Sequence, residues 1–332
     1  MKTYILSILV CITHLTFGQT LYSRNFHNPE YGILSYIPTS NTLLVPGEKG
    51  QLLLKSPNAE KSINGNIGLI TPSGNSIISI TYGHDTSTIH IYDLSGKLLK
   101  EKSIHYPIID IATDASEKYI YALSGNLSAL NEFPVYTYYE PGVPTSNLLQ
   151  LDCDLQLLNV LDTYLPKGNA TSFAVLPNLD QIIVAGGLQG TILNLNGDSI
   201  TTFKTIHASF VKVNSNKLYS ILHEFGDGSY LDIFKSKNDT ISISKELHKK
   251  YRLNPHVKTS ISVFKSWDIN HKSSHILTLD HSNSISIVEP SGSIVKTIKH
   301  KANSIFVFFI NDETIGVYDN KYKKITTYNI FK

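Results

Sequence analysis

One polar constellation in this chain has residue types and spacing suited to chemistry. Its acidic part is the turn His223-Glu224-Phe225-Gly226-Asp227-Gly228-Ser229, which offers an imidazole and two carboxylates within five positions. Its basic and aromatic part is the segment from Lys245 to Lys258, which holds Glu246, His248, Lys249, Lys250, Tyr251, Arg252 and His256. A carboxylate beside such a segment fits recognition of a polar partner, or acid–base work if the groups converge on one atom. Asp227-Gly228 is also an ordinary tight-turn signal, which is the plainer reading of that pair.

A second segment, from Asn126 to Asn147, gathers Phe133, Tyr136, Tyr138, Tyr139 and Glu140 beside Pro134, Pro141 and Pro144. Prolines stiffen a loop, and tyrosines give large amphipathic contact area at small entropic cost, a composition suited to binding. The alternative is that these aromatics pack down on the strands beneath and merely cover them. Other catalytic signatures are absent from the sequence. There is no Gly-x-Ser-x-Gly elbow, no phosphate-binding glycine loop, no zinc-protease helix and no calcium loop of the Asp-x-Asp-x-Asp type. No cofactor and no metal are expected.

The elements that must position these residues follow from a recurrence. Seven times between Ile33 and Lys332 a strand-like apolar run meets a turn rich in Pro, Asn, Asp and Ser, then a second apolar run. Examples are Thr71-Pro72-Ser73-Gly74-Asn75 before Ile77-Ile78, Thr113 to Glu117 before Tyr119-Ile120-Tyr121, and Asn311-Asp312-Glu313 before Ile315. Pro fixes φ, while Asn and Asp bond their own backbone and tolerate left-handed geometry, so such residues reverse a strand at little cost. A strand-only unit recurring every ~40–45 residues is the mark of a radial repeat. The expected fold is all-β, a seven-bladed β-propeller in which residues 19–332 form one domain.

The last unit has only three evident strands: Ile305-Phe309, Thr314-Tyr318 and Lys324-Ile330. The segment Leu21-Phe26 is expected to supply the missing outer strand, so that an N-terminal strand joins the last blade and leaves no free edge. Residues 1–18 are a different object. Lys2, the apolar stretch Ile5 to Ile12 and the small-residue site Phe17-Gly18-Gln19 have the layout of a secretory signal, with cleavage before Gln19. The apolar stretch is too short to span a bilayer. An exported product, periplasmic or extracellular, follows.

With Cys11 inside the signal, Cys153 is the only other cysteine, so no intramolecular disulfide is expected. Asp152 and Asp154 flank it and disfavour a thiolate, which makes it an inert strand residue in this reading. The net charge is +2, too small for nucleic-acid binding dominated by phosphate contacts. Nor does it give reason to expect attachment to an anionic membrane.

The stretch Tyr82-Gly83-His84-Asp85-Thr86-Ser87-Thr88-Ile89-His90-Ile91-Tyr92-Asp93-Leu94-Ser95-Gly96-Lys97 resembles the turn, third strand and exit of a WD-repeat blade, with Tyr92-Asp93 in place of Trp-Asp. Ile287-Val288-Glu289-Pro290-Ser291-Gly292 is a fainter copy. The chain is thus similar to divergent WD-like or YVTN-like propellers, while its one Trp-Asp pair, Trp267-Asp268, falls at the end of a first strand and matches by coincidence.

In such a fold the second-to-third and fourth-to-first connections leave on one face. His84, His223 and His281 fall in connections of the former kind, and His105, His207, His256 and His300 in the latter. A general-base or metal site is one reading. The other, implied by the resemblance, is that His105, His207 and His300 sit where WD-repeat proteins keep a structural histidine. Repetition at equivalent positions favours structure, since a catalytic site normally breaks the symmetry.

Two functions stand. The first is an exported binding or scaffold module that holds a protein, peptide or glycan through the face bearing both insertions, using Tyr136, Tyr138, Tyr139, Glu140, His223, Glu224, Asp227, His248, Tyr251 and Arg252. The second is a hydrolase or lyase at the channel mouth, as in the lactonase-like enzymes this fold resembles. Binding is favoured, because the candidate groups for catalysis are scattered over different blades.

Overall fold

The computed structural model describes residues 24–330 except 29–31, 49, 84–85, 126–145, 163–171, 177–180, 187–188, 205–207, 214–217, 226–227, 238–239, 243–265, 271–274, 281, 290–292, 301–303 and 320. Every helix or strand among the described residues is a strand. They form seven sheets, each a meander in chain order. The first sheet holds β1 (Arg24–Asn28), β2 (Gly32–Ile37), β3 (Thr42–Pro46), β4 (Gln51–Ser56) and β5 (Ala59–Asn64). The second holds β6 (Ile67–Ile70), β7 (Ser76–Tyr82), β8 (Ser87–Asp93) and β9 (Leu98–Ile104). The third holds β10 (Ile108–Thr113), β11 (Tyr119–Ser124), β12 (Asn147–Asp152) and β13 (Leu157–Asp162). In the fourth are β14 (Ser172–Leu176), β15 (Gln181–Gly186), β16 (Gln189–Asn194) and β17 (Ser199–Lys204). In the fifth are β18 (Ala208–Val213), β19 (Leu218–Phe225), β20 (Gly228–Lys237) and β21 (Thr240–Ser242). The sixth holds β22 (Ser266–Ile269), β23 (Ile276–Leu279), β24 (Ser284–Val288) and β25 (Ile294–Lys299), and the last holds β26 (Ser304–Phe309), β27 (Thr314–Asp319) and β28 (Lys324–Asn329).

Among the residues for which it is described, burial grades across the sheets and explains the sequence of the strands. The second strands β3, β11, β15, β23 and β27 are buried along nearly their whole length, because each is covered on both faces. They therefore read as continuous apolar runs such as Ile276-Leu277-Thr278-Leu279 rather than as alternations. The outer strands β5 and β25 are mostly exposed and carry Lys61, Lys296 and Lys299, charges that discourage pairing with another chain. First strands of neighbouring sheets touch: β2 and β6, β6 and β10, β10 and β14, β14 and β18, β22 and β26. That contact turns a row of sheets about a common axis.

The described hydrophobic clusters each bridge two neighbouring sheets. Ile37, Leu44 and Leu54 of the first pack with Ile70, Ile77 and Tyr92 of the second. Tyr121, Leu123 and Leu161 of the third meet Phe173, Ile182 and Leu193 of the fourth. The first and last sheets share a cluster too, in which Leu34, Tyr36, Leu43 and Val45 meet Phe306, Phe308 and Tyr318. The Tyr36 and Phe308 rings lie 5.5 Å apart, and Lys55 Nζ donates to the Lys323 carbonyl at 3.3 Å.

Polar ties join these sheets by satisfying main-chain amides of the first strands, where a donor left without a partner would be costly. Ser35 Oγ accepts the amide of Ile70, Ser87 Oγ that of Ile108, and Ser266 Oγ that of Val307, at 3.0, 3.0 and 3.3 Å. Asp268 Oδ2 takes the amide of Phe309 at 2.8 Å.

The turn from third to fourth strand also recurs. Asp93 Oδ1 accepts the amides of Ser95 and Lys97, Asp152 Oδ1 those of Asp154 and Gln156, and Asn194 Oδ1 those of Asn196 and Asp198. The fourth position of each turn is left-handed: Gly96 at φ 74°, Leu155 at 61° and Gly197 at 92°. Leucine there costs backbone strain, offset by burying its side chain in the cluster between the second and third sheets.

Each of the seven expected hairpin turns falls between the first two strands of a meander, with β2 and β3 as that pair in the first sheet, although residues 177–180, 214–217 and 271–274 lie outside the described residues. Trp267-Asp268 lies in a first strand, β22, as expected. Two expectations need correction. Arg24–Asn28 pairs with β2, not with the last sheet, with Arg24 opposite Tyr36 and Asn28 opposite Gly32. A connection of three residues brings it to that open edge, whereas β28 lies at the other end of the chain. Leu21 to Ser23 fall outside the described residues. Cys153, read as a strand residue, stands exposed in the turn after β12, because Asp152 ends the strand by capping that turn. The signal segment also lies outside the described residues, among which no helix is long and apolar enough to cross a membrane.

Candidate functional site

In an antiparallel meander the second-to-third and fourth-to-first connections leave from the same rim. The tyrosine-rich insertion runs between β11 and β12, a connection of the first kind. The basic insertion runs between β21 and β22, of the second kind, and the β19–β20 hairpin is of the first kind again. Strand direction therefore roots all three on one rim. His223 and Glu224 occupy adjacent positions near the end of β19, paired with Tyr230 and Ser229. Asp227 lies outside the described residues, as do Tyr136, Tyr138, Tyr139, Glu140, His248, Tyr251 and Arg252.

The root of the tyrosine-rich insertion is held from below. Ser124 Oγ donates to the carbonyl of Asn147 and accepts its amide, both at 3.1 Å, which clamps the two ends of the insertion together. The Gly125 amide donates to the carbonyl of Pro107 at 2.9 Å, and a Cβ at Gly125 would come within 2.6 Å of the Ile109 side chain. Ser124 and Ser146 are buried, so the insertion leaves from a packed base.

Beneath that base lies a polar group that the sequence did not announce. Asp110 on β10 is buried, its Oδ1 accepts the amide of Ile111 at 2.8 Å, and its Oδ2 faces Ser172 Oγ at 3.4 Å. Burial, then the Asp110 carboxylate, holds the Tyr82 phenol well above its usual range, so it stays protonated and can donate but not act as a base. The arrangement ties sheets two, three and four; it offers neither an activated nucleophile nor an imidazole beside a carboxylate.

Of the seven histidines expected on this rim, His84, His207, His256 and His281 lie outside the described residues. His105 is exposed. His300 bonds through Nδ1 to the Tyr328 hydroxyl, edge-to-face with its ring, while its amide donates to the Asn283 carbonyl at 3.1 Å. For His300 this is a joint between the last two sheets, the structural role. Among the described residues no group of three or more His, Cys, Asp or Glu side chains could hold a metal.

The sequence also failed to single out His90, buried in β8. Its Nε2 lies 3.1 Å from Thr81 Oγ1, and its Nδ1 stands 3.5 Å from Glu101 Oε2, near enough to attract but without an aligned hydrogen bond. Burial lowers the pKa of His90 and of His300, outweighing the opposing pull of Glu101 and Asp319 respectively. A histidine whose folded pKa is depressed contributes stability that is present above its ordinary value of 6.5 and is lost as pH falls through the folded value. The unfolding midpoint is thus expected to drop on acidification below that value. His90→Gln should flatten the drop in a thermal melt series; an unchanged pH dependence in that variant would remove His90 from the explanation.

No family model matches the chain, and no curated protein does. Among solved structures it is similar to the β-propeller domain of Cps50 (Swd1) from Myceliophteria thermophila, at a TM-score of 0.67 and 10% identity over 92% of this chain and 99% of that one. At such identity the likeness speaks for the fold alone. That likeness and the meandering sheets described above establish the fold as a β-propeller.

Proposed function

We propose that the chain is a closed seven-bladed propeller, exported after removal of residues 1–18, that serves as a binding or scaffold module for a protein, peptide or glycan. The observation that carries the binding reading is the common rim from which both insertions and the β19–β20 hairpin leave. Packing between the first and last sheets supports the closed ring. The position of β1 weighs against an enzyme at the channel mouth. It lines the edge of β2 opposite β3 and touches β26 and β6, so a strand of the chain itself stands on the axis side.

The tyrosine-rich and basic insertions act together in this reading. Aromatic and Arg anchors usually dominate interface energetics, so Tyr138→Ala, Tyr139→Ala and Arg252→Ala are each expected to weaken partner binding by about 1–3 kcal/mol. Co-purification from the periplasm or medium identifies the partner, titration calorimetry measures the loss, and circular dichroism checks that the fold is intact. Full affinity in all three variants would reject the shared rim as the binding surface.

A further inference from the structure

The outer strands of the sheets differ in how they guard their free edges. β5, β9, β17 and β25 each carry at least one lysine, a charge that resists pairing with another chain. β13 carries none: its sequence is Leu157-Leu158-Asn159-Val160-Leu161-Asp162, and no strand among the described residues covers its outer edge. Leu158 and Val160 are each 46% exposed and Leu157 39%, a run of bare apolar side chains on an edge that still offers main-chain donors and acceptors. We propose that β13 pairs with β13 of a second copy of this chain, antiparallel and about a two-fold axis at Asn159, so that two four-stranded sheets join into one.

The occupant follows from the strand's own symmetry. An antiparallel pair centred on Asn159 sets Leu158 opposite Val160 of the second copy and Leu157 opposite Leu161, and the same pairs recur on the other side of the axis. Apolar residues therefore meet apolar residues on either side of one polar position. That position is prepared for a partner. Asn159 Nδ2 donates to Gln150 Oε1 at 2.6 Å, and Gln150 Nε2 donates to the hydroxyl of the buried Tyr121 at 3.1 Å, which holds the amide in one orientation. Its second amide hydrogen and its carbonyl are left for Asn159 of the second copy, whose amide can return both bonds across the axis. A single polar pair of this kind fixes the register of an otherwise apolar seam. Charge adds to the match. At each end Gln156 comes opposite Asp162 of the second copy, and Lys102 Nζ already donates to Gln156 Oε1 at 2.8 Å, so a lysine flanks the position to which the second copy brings an aspartate. The one-residue bulge that leaves Leu158 without an opposite number on β12 recurs in β9, β17 and β25. It keeps the ladder short, so the dimer is weak and depends on concentration.

This inference concerns the outer edge of the third sheet and is independent of partner recognition at the rim. Its test is sedimentation equilibrium of the full mature chain from nanomolar to high micromolar concentration, with a reductant present because Cys153 is exposed. A reversible monomer–dimer equilibrium is expected. Val160→Lys should weaken it by about tenfold, since each substitution acts twice in a symmetric pair. The double variant Leu158→Glu with Val160→Lys sets opposite charges across both equivalent pairs and should recover most of the loss. Ile294→Lys, at an exposed apolar position on the outer strand of the sixth sheet, should leave the equilibrium unchanged. A chain that stays monomeric at high micromolar concentration overturns the proposal, even if it captures another protein through this edge. So does a Val160→Lys variant that associates like the parent, a double variant no better than the single one, or an Ile294→Lys variant as weak as Val160→Lys. The substituted side chains are all exposed, and circular dichroism checks folding. Asn159→Asp, which sets like charges on the axis, repeats the first test if Val160→Lys does not fold.

Discussion

Phe308→Ala is expected to lower the unfolding free energy by about 3–5 kcal/mol, the usual cost of emptying a fully buried phenylalanine site. The ring is completely buried in the cluster that joins the first and last sheets. It packs on Tyr36, and a Cβ at Gly316 would stand only 2.5 Å from it, so the surroundings are tightly filled. Phe173→Ala removes an equally buried ring between the third and fourth sheets and serves as the control for an interface away from the chain ends. Urea unfolding of both variants gives the comparison. A loss below about 1 kcal/mol for Phe308→Ala alone would mean that the first and last sheets do not share a cooperative core.

The second large effect is expected at Gly65, which lies at φ +154° in the connection between β5 and β6. A Cβ there would fall 2.8 Å from Cβ of Ser79 and 3.0 Å from Cδ1 of Leu52. Ser79 cannot retreat cheaply, because its hydroxyl donates to the Asn64 carbonyl at 2.6 Å and it sits buried in β7. Backbone strain at positive φ and overpacking each cost a few kcal/mol at most, so Gly65→Ala should destabilise by about 2–5 kcal/mol in sum. Thermal and denaturant melts check this; a near-neutral result would show that the β5–β6 connection relaxes.

The strands and their hairpins were legible because the signals are local. A turn such as Thr71-Pro72-Ser73-Gly74-Asn75 fixes its own geometry, and the run Ile77-Ile78 after it has only one way to be buried. What escaped depends on position in space. The turn from Asp152 to Gln156 repeats those from Asp93 to Lys97 and from Asn194 to Asp198, yet Leu155 replaces glycine at the left-handed position and hides the likeness. With the turn unseen, Cys153 read as part of a strand. His90 looked like any polar residue in an alternating run, and nothing local shows that Thr81 and Glu101 flank it across two strands. The choice of β2 as the partner of β1 is a competition between two edges, which pattern alone does not rank. For the site, the rim could be read from strand order, since alternate connections of a meander must share an end. The buried carboxylate of Asp110 could not, because Ser172 and Tyr82 come to it from two other sheets.

The pairwise nature of the hydrophobic clusters bears on how such a chain diverges. Each described cluster is shared by just two sheets, so a volume change in one strand can be compensated by a single facing strand without disturbing the rest. A fold built this way can keep the course of its backbone while its residues are exchanged one interface at a time. A TM-score of 0.67 beside 10% identity fits that tolerance: the fold is alike where the residues are not.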